Sequence, residues 1–289
     1  MISQATKLRT LLSEDTCHAT PCCWDGLSAK MIADAGFSFT FMSGFAVSAS
    51  RIGAPDTGLI SFGEMLDQGR NICAATPIPV IGDGDTGYGN ALNVRRTVEM
   101  YARAGCAAVM IEDQVAPKRC GHTQGKLVVE RAEALNRIKA AVDARNDGAD
   151  IMILARTDAR HAHGLDEAID RAKAFSDLGA DILFVEAPQS QDEMARLTHE
   201  AQGIHMANIV EGGATPNLSP SELHQLGYRF AIYPLTLLSA SMNAMTQALR
   251  AFSDGKHPAD MVMEFQDLRK IVGFDDYYAA EKDYSDSRD

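Results

Sequence analysis

The sequence predicts an α/β fold, a (β/α)₈ TIM barrel, and two observations carry that prediction. One pattern recurs along the 289 residues: the end of a helix, a glycine and then a buried strand, as at Gly36, Gly105, Gly179 and Gly227. Glycine suits the left-handed position that ends a helix, and a continuous apolar run suits a strand buried on both faces. The chain also offers eight strand candidates with helical stretches between them, and eight such pairs in about 250 residues match the size of such a barrel.

The elements follow in order from this pattern. Strands are expected at residues 17–23, 38–43, 78–82, 107–112, 151–156, 182–186, 204–210 and 229–234. Helices are expected between them, for example at Asn93–Arg103, Arg131–Arg145, Leu165–Leu178 and Pro220–Gln225. A doubly wound sheet is the rival architecture, but no Gly-x-Gly-x-x-Gly follows the first strand to support a dinucleotide-binding version.

We expect one barrel domain over residues 1–289, because no linker rich in Pro, Ser or Gly separates two halves. Residues 255–289 form a C-terminal extension of different character. Within it Phe265–Val272 looks helical, and Tyr277, Tyr278 and Tyr284 are aromatic in an acidic setting. The extension is expected to pack on its own barrel or on a neighbouring subunit.

Composition excludes several classes of partner. The formal net charge of −12 argues against a nucleic acid or an acidic membrane surface. No apolar run approaches the length of a membrane span, and the first residues lack a charged-then-apolar signal segment. The six cysteines include no C-x-x-C pair and no zinc-type spacing. A cytoplasmic, reduced location is therefore expected.

Acidic residues mark the ends of several predicted strands. They are Asp83 and Asp85, Glu112, Glu186 and Glu211, with Arg156 and Asn208 in equivalent positions. In a barrel the C-terminal ends of the strands face the active-site mouth. Carboxylates that converge there repel one another unless a divalent cation lies among them, and such oxygen ligands suit Mg²⁺, with Mn²⁺ as a substitute. The alternative, for Asp113 and Asp158 above all, is a helix cap or a local ion pair.

A long connection, residues 114–129, follows the fourth strand and carries Lys118, Arg119, Cys120 and His122. Long loops in compact domains are usually lids, binding loops or disordered segments. The cations favour a lid that closes over an anionic substrate. Neighbouring positive charge also favours the thiolate of Cys120 and makes proton exchange easy, whereas Cys120 taken alone could be a bystander thiol.

Five motifs resemble the isocitrate lyase and phosphoenolpyruvate mutase superfamily. They are Asp83-x-Asp85-x-Gly87-Tyr88-Gly89, Ile111-Glu112-Asp113-Gln114, Pro117-Lys118-Arg119-Cys120-Gly121-His122, Ala155-Arg156-Thr157-Asp158 and Asn208-x-x-Glu211-Gly212-Gly213. The resemblance runs from about Trp24 to about Tyr277. It is strongest to the short lyase-type members: methylisocitrate lyase, dimethylmalate lyase, petal-death type oxaloacetate hydrolase and the carboxyphosphonoenolpyruvate phosphonomutase-like proteins.

This resemblance implies a barrel that forms homotetramers, as dimers of dimers, by exchanging its last helix between subunits. It implies Mg²⁺ held directly by Asp85, with Asp83, Asp56 and Glu112 acting largely through water. Cys120, His122 and Arg156 would then be catalytic. The implied substrate-binding residues are Phe41, Ser43, Gly44, Lys118, Arg119, Gly121, Glu186, Asn208, Glu211 and Pro234.

The expected function is a Mg²⁺-dependent carbon–carbon lyase. Its substrate would be a small anionic 2-hydroxy dicarboxylate of the substituted malate type, cleaved to an oxo acid such as pyruvate and a carboxylate. An oxaloacetate hydrolase that yields oxalate and acetate is the alternative. A phosphonomutase and a non-catalytic barrel are weaker alternatives. Phe41-Met42-Ser43-Gly44-Phe45 and Glu211-Gly212-Gly213 both differ from the pattern of methylisocitrate lyases.

Overall fold

The computed structural model describes residues 2–119 and 125–285 and confirms the predicted parallel eight-stranded barrel. Each strand lies close to its predicted position. The strands are β1 (His18–Pro21), β2 (Thr40–Met42), β3 (Val80–Asp83), β4 (Ala108–Glu112), β5 (Met152–Thr157), β6 (Ile182–Val185), β7 (His205–Asn208) and β8 (Tyr228–Tyr233).

The helices alternate with these strands, as the βα pattern predicts. They are α1 (Gln4–Leu12), α2 (Gly26–Asp34), α3 (Gly44–Ile52), α4 (Phe62–Ala75), α5 (Ala91–Ala104), α6 (Arg131–Asn146), α7 (Ala159–His163), α8 (Leu165–Asp177), α9 (Gln191–Glu200), α10 (Pro220–Gln225), α11 (Thr236–Ser253), α12 (Phe265–Val272) and α13 (Phe274–Ser285). The four glycines of the recurring pattern all have positive φ angles, as the left-handed position requires.

Neighbouring strands pair in parallel in the order β1-β8-β7-β6-β5-β4-β3-β2. The barrel closes between β1 and β2 differently from its other seams. Pro21 has no N–H to donate there, and the Thr20 hydroxyl donates instead to the Phe39 carbonyl at 2.7 Å. A parallel bridge between Cys23 and Met42, just beyond β1, completes the closure.

Two apolar layers hold the barrel together. The outer layer lies between the strands and the helices, and it includes Val109, Ile111 and Ile138. The inner layer fills the barrel and continues into α1, whose Ala5, Leu8 and Leu12 are buried within it. Helix α1, which the sequence analysis did not predict, therefore closes the end of the barrel opposite the acidic strand ends.

The chain divides into two compact units, Met1–Leu237 and Leu238–Asp289. The first contains every strand and the acidic strand ends. The second contains most of α11 together with α12, which has the bounds predicted for it, and α13. Within the described residues, no helix is both long enough and apolar enough to cross a membrane.

Candidate active site

A cavity of about 60 Å³ opens at the C-terminal ends of the strands. The predicted site residues that line it are Phe41, Ser43, Gly44, Asp56, Asp83, Arg156, Glu186, Asn208 and Pro234. They come from β2, β3, β5 and β7, from the start of α3 and from the connections that follow β2, α3, β6 and β8. The parallel barrel thus brings together residues that are far apart in the sequence, as strand-end positions predict.

The Lys118 ammonium lies among the acids next to this cavity. Its Nζ atom is 2.7 Å from Asp56 Oδ1, 2.9 Å from Asp56 Oδ2 and 2.5 Å from Asp85 Oδ1. Burial opposes the charge of Lys118, but Asp85, Asp83, Asp56 and Glu112 together raise its pKa well above the usual value. Lys118 is therefore a buried, charged lysine that offsets part of a cluster of four carboxylates.

Backbone N–H groups fix the orientation of Asp83. Its Oδ2 accepts a hydrogen bond from Gly44 N at 3.1 Å, and its Oδ1 accepts one from Asp85 N at 3.0 Å. Burial raises the pKa of Asp83 to about 6, with Lys118 opposing and Asp85 and Asp56 adding to the rise. Asp85 itself has a φ of +48°, a conformation that costs energy for a residue other than glycine and is common at functional sites.

Arg156 lies at the centre of a second buried network. Its guanidinium donates to both oxygens of Asp158 at 2.8 and 3.1 Å, and it lies 3.2 Å from Glu112 and 3.4 Å from Glu186. Burial acts to raise the pKa of Asp158, but Arg156 and Lys126 outweigh it and lower that pKa to about 2. Asp158 therefore holds Arg156 in place as a permanent negative charge.

The acid cluster fits a divalent cation that keeps part of its water shell. Asp56, Asp83, Asp85 and Glu112 are all buried, and Glu112 Oε1 accepts no hydrogen bond from the described residues. Burial raises the pKa of Glu112 well above its usual value, which a bound cation would counteract. No three His, Cys, Asp or Glu side chains of the described residues converge on one metal position. Mg²⁺ commonly takes one or two carboxylates and retains waters, so this arrangement suits it.

The long loop begins and ends on a short pairing between Gln114 and Val128. The Gln114 side chain exchanges hydrogen bonds with the backbone of Arg119, at 2.9 and 3.0 Å, which holds the first part of the loop in place. Arg119 itself is exposed. Cys120, Gly121 and His122 lie outside the described residues, so their predicted roles stay predictions.

Glu211 and Asp113 lie away from the cavity lining. Glu211 is exposed and accepts a hydrogen bond from Thr236 at 2.5 Å. Asp113 accepts from the Thr157 hydroxyl at 2.6 Å and pairs with Arg171 at 3.0 Å. Asp113 therefore forms local structural contacts, which was the alternative given for it in the sequence analysis.

Sequence reasoning missed an apolar wall of the cavity. The wall consists of Phe45, Met110, Phe184, Val210, Ile232 and Leu235. The Phe184 ring also packs under the Arg156 guanidinium, with 5.3 Å from Cζ to the ring centroid. The period of two along a strand marks Met110, Phe184 and Ile232 as inward-pointing. It does not distinguish an apolar residue that lines a cavity from one that fills the barrel core.

An acid cluster beside a fixed arginine, at the C-terminal mouth of a parallel barrel, defines an α/β-barrel enzyme that acts on a small anion. Residues 8–253 match the family described as phosphoenolpyruvate phosphomutase. The chain belongs to this family and so to the phosphoenolpyruvate mutase/isocitrate lyase superfamily, as its motifs predict.

Relatives of known activity match nearly the whole chain. The 2,3-dimethylmalate lyase of Eubacterium barkeri is 41% identical over 99% of this chain and 100% of its own length. A crystal structure of 2,3-dimethylmalate lyase superposes with a TM-score of 0.94 at 37% identity, covering 100% of this chain and 97% of the other.

Two further solved structures have the same fold. Oxaloacetate acetylhydrolase in complex with 3,3-difluorooxalacetate has a TM-score of 0.93 at 35% identity, with 99% of each chain covered. A phosphonopyruvate hydrolase in complex with oxalate and Mg²⁺ has a TM-score of 0.86 at 28% identity, covering 98% of this chain and 99% of the other. That structure therefore contains both Mg²⁺ and a small dicarboxylate.

Proposed function

We propose that this chain is a Mg²⁺-dependent carbon–carbon lyase that cleaves a substituted malate to an oxo acid such as pyruvate and a carboxylate. The observation that carries the proposal is the mixed lining of the cavity, which combines Arg156 and acidic residues with the apolar residues of the wall. The similarity to 2,3-dimethylmalate lyase supports the same substrate class.

The charged and the apolar lining residues of the cavity suit different parts of such a substrate. Arg156 presents a buried guanidinium, which suits a carboxylate because of its charge and its forked donors. Phe41, Phe184 and Ile232 suit an alkyl substituent, since burying a CH₂ group contributes about 0.8 kcal/mol. A methyl-substituted malate has a carboxylate for Arg156 and a methyl group for the apolar residues. Its other carboxylate and its hydroxyl would then face the acid cluster.

In this proposal Asp85 would hold the metal ion, Asp83, Asp56 and Glu112 would act through water, and Mn²⁺ is a candidate substitute. The bound ion would supply Lewis-acid polarisation of the substrate's carboxylate and 2-oxygen. Ser43 caps α3 by accepting from Ala46 N at 3.3 Å, which leaves its hydroxyl hydrogen able to donate to the substrate. Gly44, Asn208 and Pro234 bound the same part of the cavity.

Cleavage breaks the bond between C2 and C3 of the substrate. The 2-hydroxyl gives its proton to a carboxylate of the acid cluster and becomes the carbonyl of the oxo acid, and the electron pair of the broken bond passes to C3 and its carboxylate. Arg156 stabilises this negative charge. Cys120 then protonates C3 as the general acid, with His122 and the loop residues Arg119 and Gly121 beside it in the sequence.

Oxaloacetate hydrolysis is the second candidate function. The similarity to oxaloacetate acetylhydrolase favours it, because that structure matches this chain over 99% of its length. The apolar wall favours the substituted malate instead, since oxaloacetate has no alkyl branch to bury.

Proton NMR of the purified protein with Mg²⁺ distinguishes the two functions. The substrates are oxaloacetate, 2-methylmalate, 2,3-dimethylmalate and 2-methylisocitrate, each tested alone and in a pool. We expect pyruvate to appear as a methyl-substituted malate disappears, and chelation with EDTA to stop the reaction. Acetate formed from oxaloacetate would instead identify the hydrolase. Consumption of none of the four would contradict both functions.

We also propose a cytoplasmic homotetramer. Apolar side chains recur on one side of α11, at Met242, Met245, Leu249 and Phe252, and all four are more than half exposed. A helix with such a stripe needs an apolar partner, which a second subunit supplies. The thiols of Cys73 and Cys106 lie 3.6 Å apart without a disulfide, which suits a reducing compartment.

A further inference from the structure

Lys118 lies where a cation shared by Asp56 and Asp85 would lie. Its Nζ atom is 2.5–2.9 Å from three of their four carboxylate oxygens, and its side chain is only 6% exposed. Mg²⁺ bound directly to Asp85 would lie about 2.0–2.1 Å from its carboxylate oxygen. Because the Lys118 ammonium is already 2.5 Å from Asp85 Oδ1, the two cations would repel each other strongly at this carboxylate and compete for it.

We propose that Lys118 is an internal competitor of the divalent cation, so that metal binding expels its ammonium from Asp56 and Asp85 and releases residues 117–119. The inference rests on the metal binding of the proposed function. A doubly charged ion gains more than an ammonium from four buried carboxylates. The release of Lys118 lowers the apparent metal affinity, because the ion first displaces the lysine.

Displacement of Lys118 removes one of the contacts that hold residues 117–119. Residues 117–119 are held at Asp56 by the ion pair, at Gly58 by close packing of Pro117, and at Gln114 by the backbone hydrogen bonds of Arg119. The ion pair is the charged one of these three contacts, and it is the one that the metal replaces. Metal binding therefore frees the segment that leads directly into Cys120, and it leaves Lys118 free to pair with a substrate carboxylate.

The inference predicts an order of events at the site. The metal binds first, the lysine leaves the acids, and its ammonium becomes available to the anionic substrate. If Lys118 competes with the metal ion, replacing Lys118 strengthens metal binding. If Lys118 only stabilises the fold, its replacement does not strengthen metal binding.

Mn²⁺ titration followed by EPR of the free ion tests the competition, in wild type, Lys118→Met and Arg119→Met, without substrate. Mg²⁺ competition establishes that Mn²⁺ reports the same site. We expect Lys118→Met to bind Mn²⁺ at least about tenfold more tightly than wild type. Arg119→Met removes one positive charge from the same segment at an exposed position, so we expect a change of less than about threefold.

The other outcomes decide against the inference in distinct ways. Equal or weaker Mn²⁺ binding by Lys118→Met, or equal tightening in both variants, overturns the competition while the metal site stands. Absence of Mn²⁺ binding in wild type overturns the metal assignment of the proposed function and this inference with it.

A measurement on the wild-type protein covers the case in which Lys118→Met does not fold. Trypsin must take the Lys118 side chain into its own pocket to cut after it, which the ion pair with Asp56 and Asp85 prevents. We expect saturating Mn²⁺ to accelerate cleavage after Lys118 by at least about tenfold, as measured by mass spectrometry of the fragments. Unchanged or slower cleavage at this bond overturns the inference.

Discussion

Gly44 lies where the backbone of α3 approaches the acid cluster. A Cβ atom at this position would lie 2.4 Å from Asp83 Oδ2, and Asp83 is already held by two backbone N–H groups. We expect Gly44→Ala to move the carboxylate and to lower kcat/KM by about a hundredfold, the scale of a misplaced catalytic group. Steady-state kinetics on the substrate identified by NMR measure the effect.

Gly63→Ala is the matched control, because Gly63 lies in the first turn of α4 with its nearest neighbouring atom 4.0 Å from the added Cβ. We expect this variant to keep the wild-type kcat/KM. An equal loss in both variants would show that the effect of Gly44→Ala is not specific to the acid cluster.

Cys120 is the predicted general acid, and its replacement separates that role from a bystander thiol. We expect Cys120→Ser to lower kcat by at least about a hundredfold, because a hydroxyl is a much weaker acid than a thiol. Cys73→Ser, which changes a half-buried thiol on α4, should keep the wild-type rate. Near-normal turnover of Cys120→Ser would exclude Cys120 as the proton donor.

His205 gives the stability a defined pH dependence. Burial lowers the pKa of His205 below its ordinary 6.5, against the opposing effect of its hydrogen bond to the Ala201 carbonyl. The folded protein thus binds fewer protons at this ring than the unfolded chain does. Its contribution to stability is present above pH 6.5 and is lost as the pH falls below that value.

Urea unfolding at pH 7.5 and pH 5.5 measures this contribution. We expect His205→Gln to lose less stability than wild type on acidification, because glutamine still donates to Ala201 but does not titrate. His199→Gln, at an exposed position of α9, should follow the wild-type pH dependence. Identical pH dependence in all three proteins would exclude His205 as a source.

Site residues could be predicted from the sequence where they directly follow a recognisable strand. Asp83, Glu112 and Arg156 could be predicted because each directly ends an apolar run, so its place at the barrel mouth follows from the strand. The cavity-lining role of Phe184 and Ile232 could not be predicted, because the same types of apolar residue line a cavity and fill a barrel core.

Helix α1 is the element that closes the barrel end remote from the cavity. Its Leu8 is fully buried among inner-layer residues such as Phe39 and Phe230. We expect Leu8→Ala to lower the free energy of unfolding by about 2–5 kcal/mol through lost burial and a residual cavity. Leu27→Ala on α2, where the side chain is 49% exposed, should change it by less than about 0.5 kcal/mol. Urea denaturation of both variants measures the difference.

The sequence contains a signal for α1 that the strand pattern obscured. Ala5, Leu8 and Leu12 recur at i, i+3 and i+7, the period of one helical face. A nine-residue helix before the first strand belongs to no βα unit, so the repeating pattern does not predict it. The longer helices α5, α6 and α8 were predicted because they are required between strands.

At the scale of the whole molecule, assembly is the property to measure. Analytical ultracentrifugation should give a mass near four times 31.2 kDa for wild type. We expect Leu249→Glu combined with Phe252→Glu to give smaller species, because the charges disrupt the exposed apolar stripe of α11. Paired substitution of exposed polar residues Asn243 and Gln247 by Glu on the same helix is the control, and it should leave the mass unchanged. A monomeric wild type would contradict the tetramer.

The barrel could be predicted from sequence because each βα unit repeats the same local signals, and these signals also set strand direction. The packing of residues 255–289 could not be predicted in the same way. An exposed apolar stripe on α12 is formed by Phe265, Leu268 and Val272. It indicates that α12 needs an apolar partner, but it does not indicate which surface is that partner.

The closure between β1 and β2 has a consequence for local motion. The two adjacent seams, β1–β8 and β2–β3, are joined by backbone ladders of four and three residue pairs, whereas here a threonine hydroxyl and a short bridge take the place of a ladder. Fewer backbone hydrogen bonds mean a lower free energy of local opening. Phe41 and Ser43 lie on this side of the cavity, so a weakly paired edge of the barrel is also a wall of the cavity. Transient separation of the two strands would open the cavity on this side.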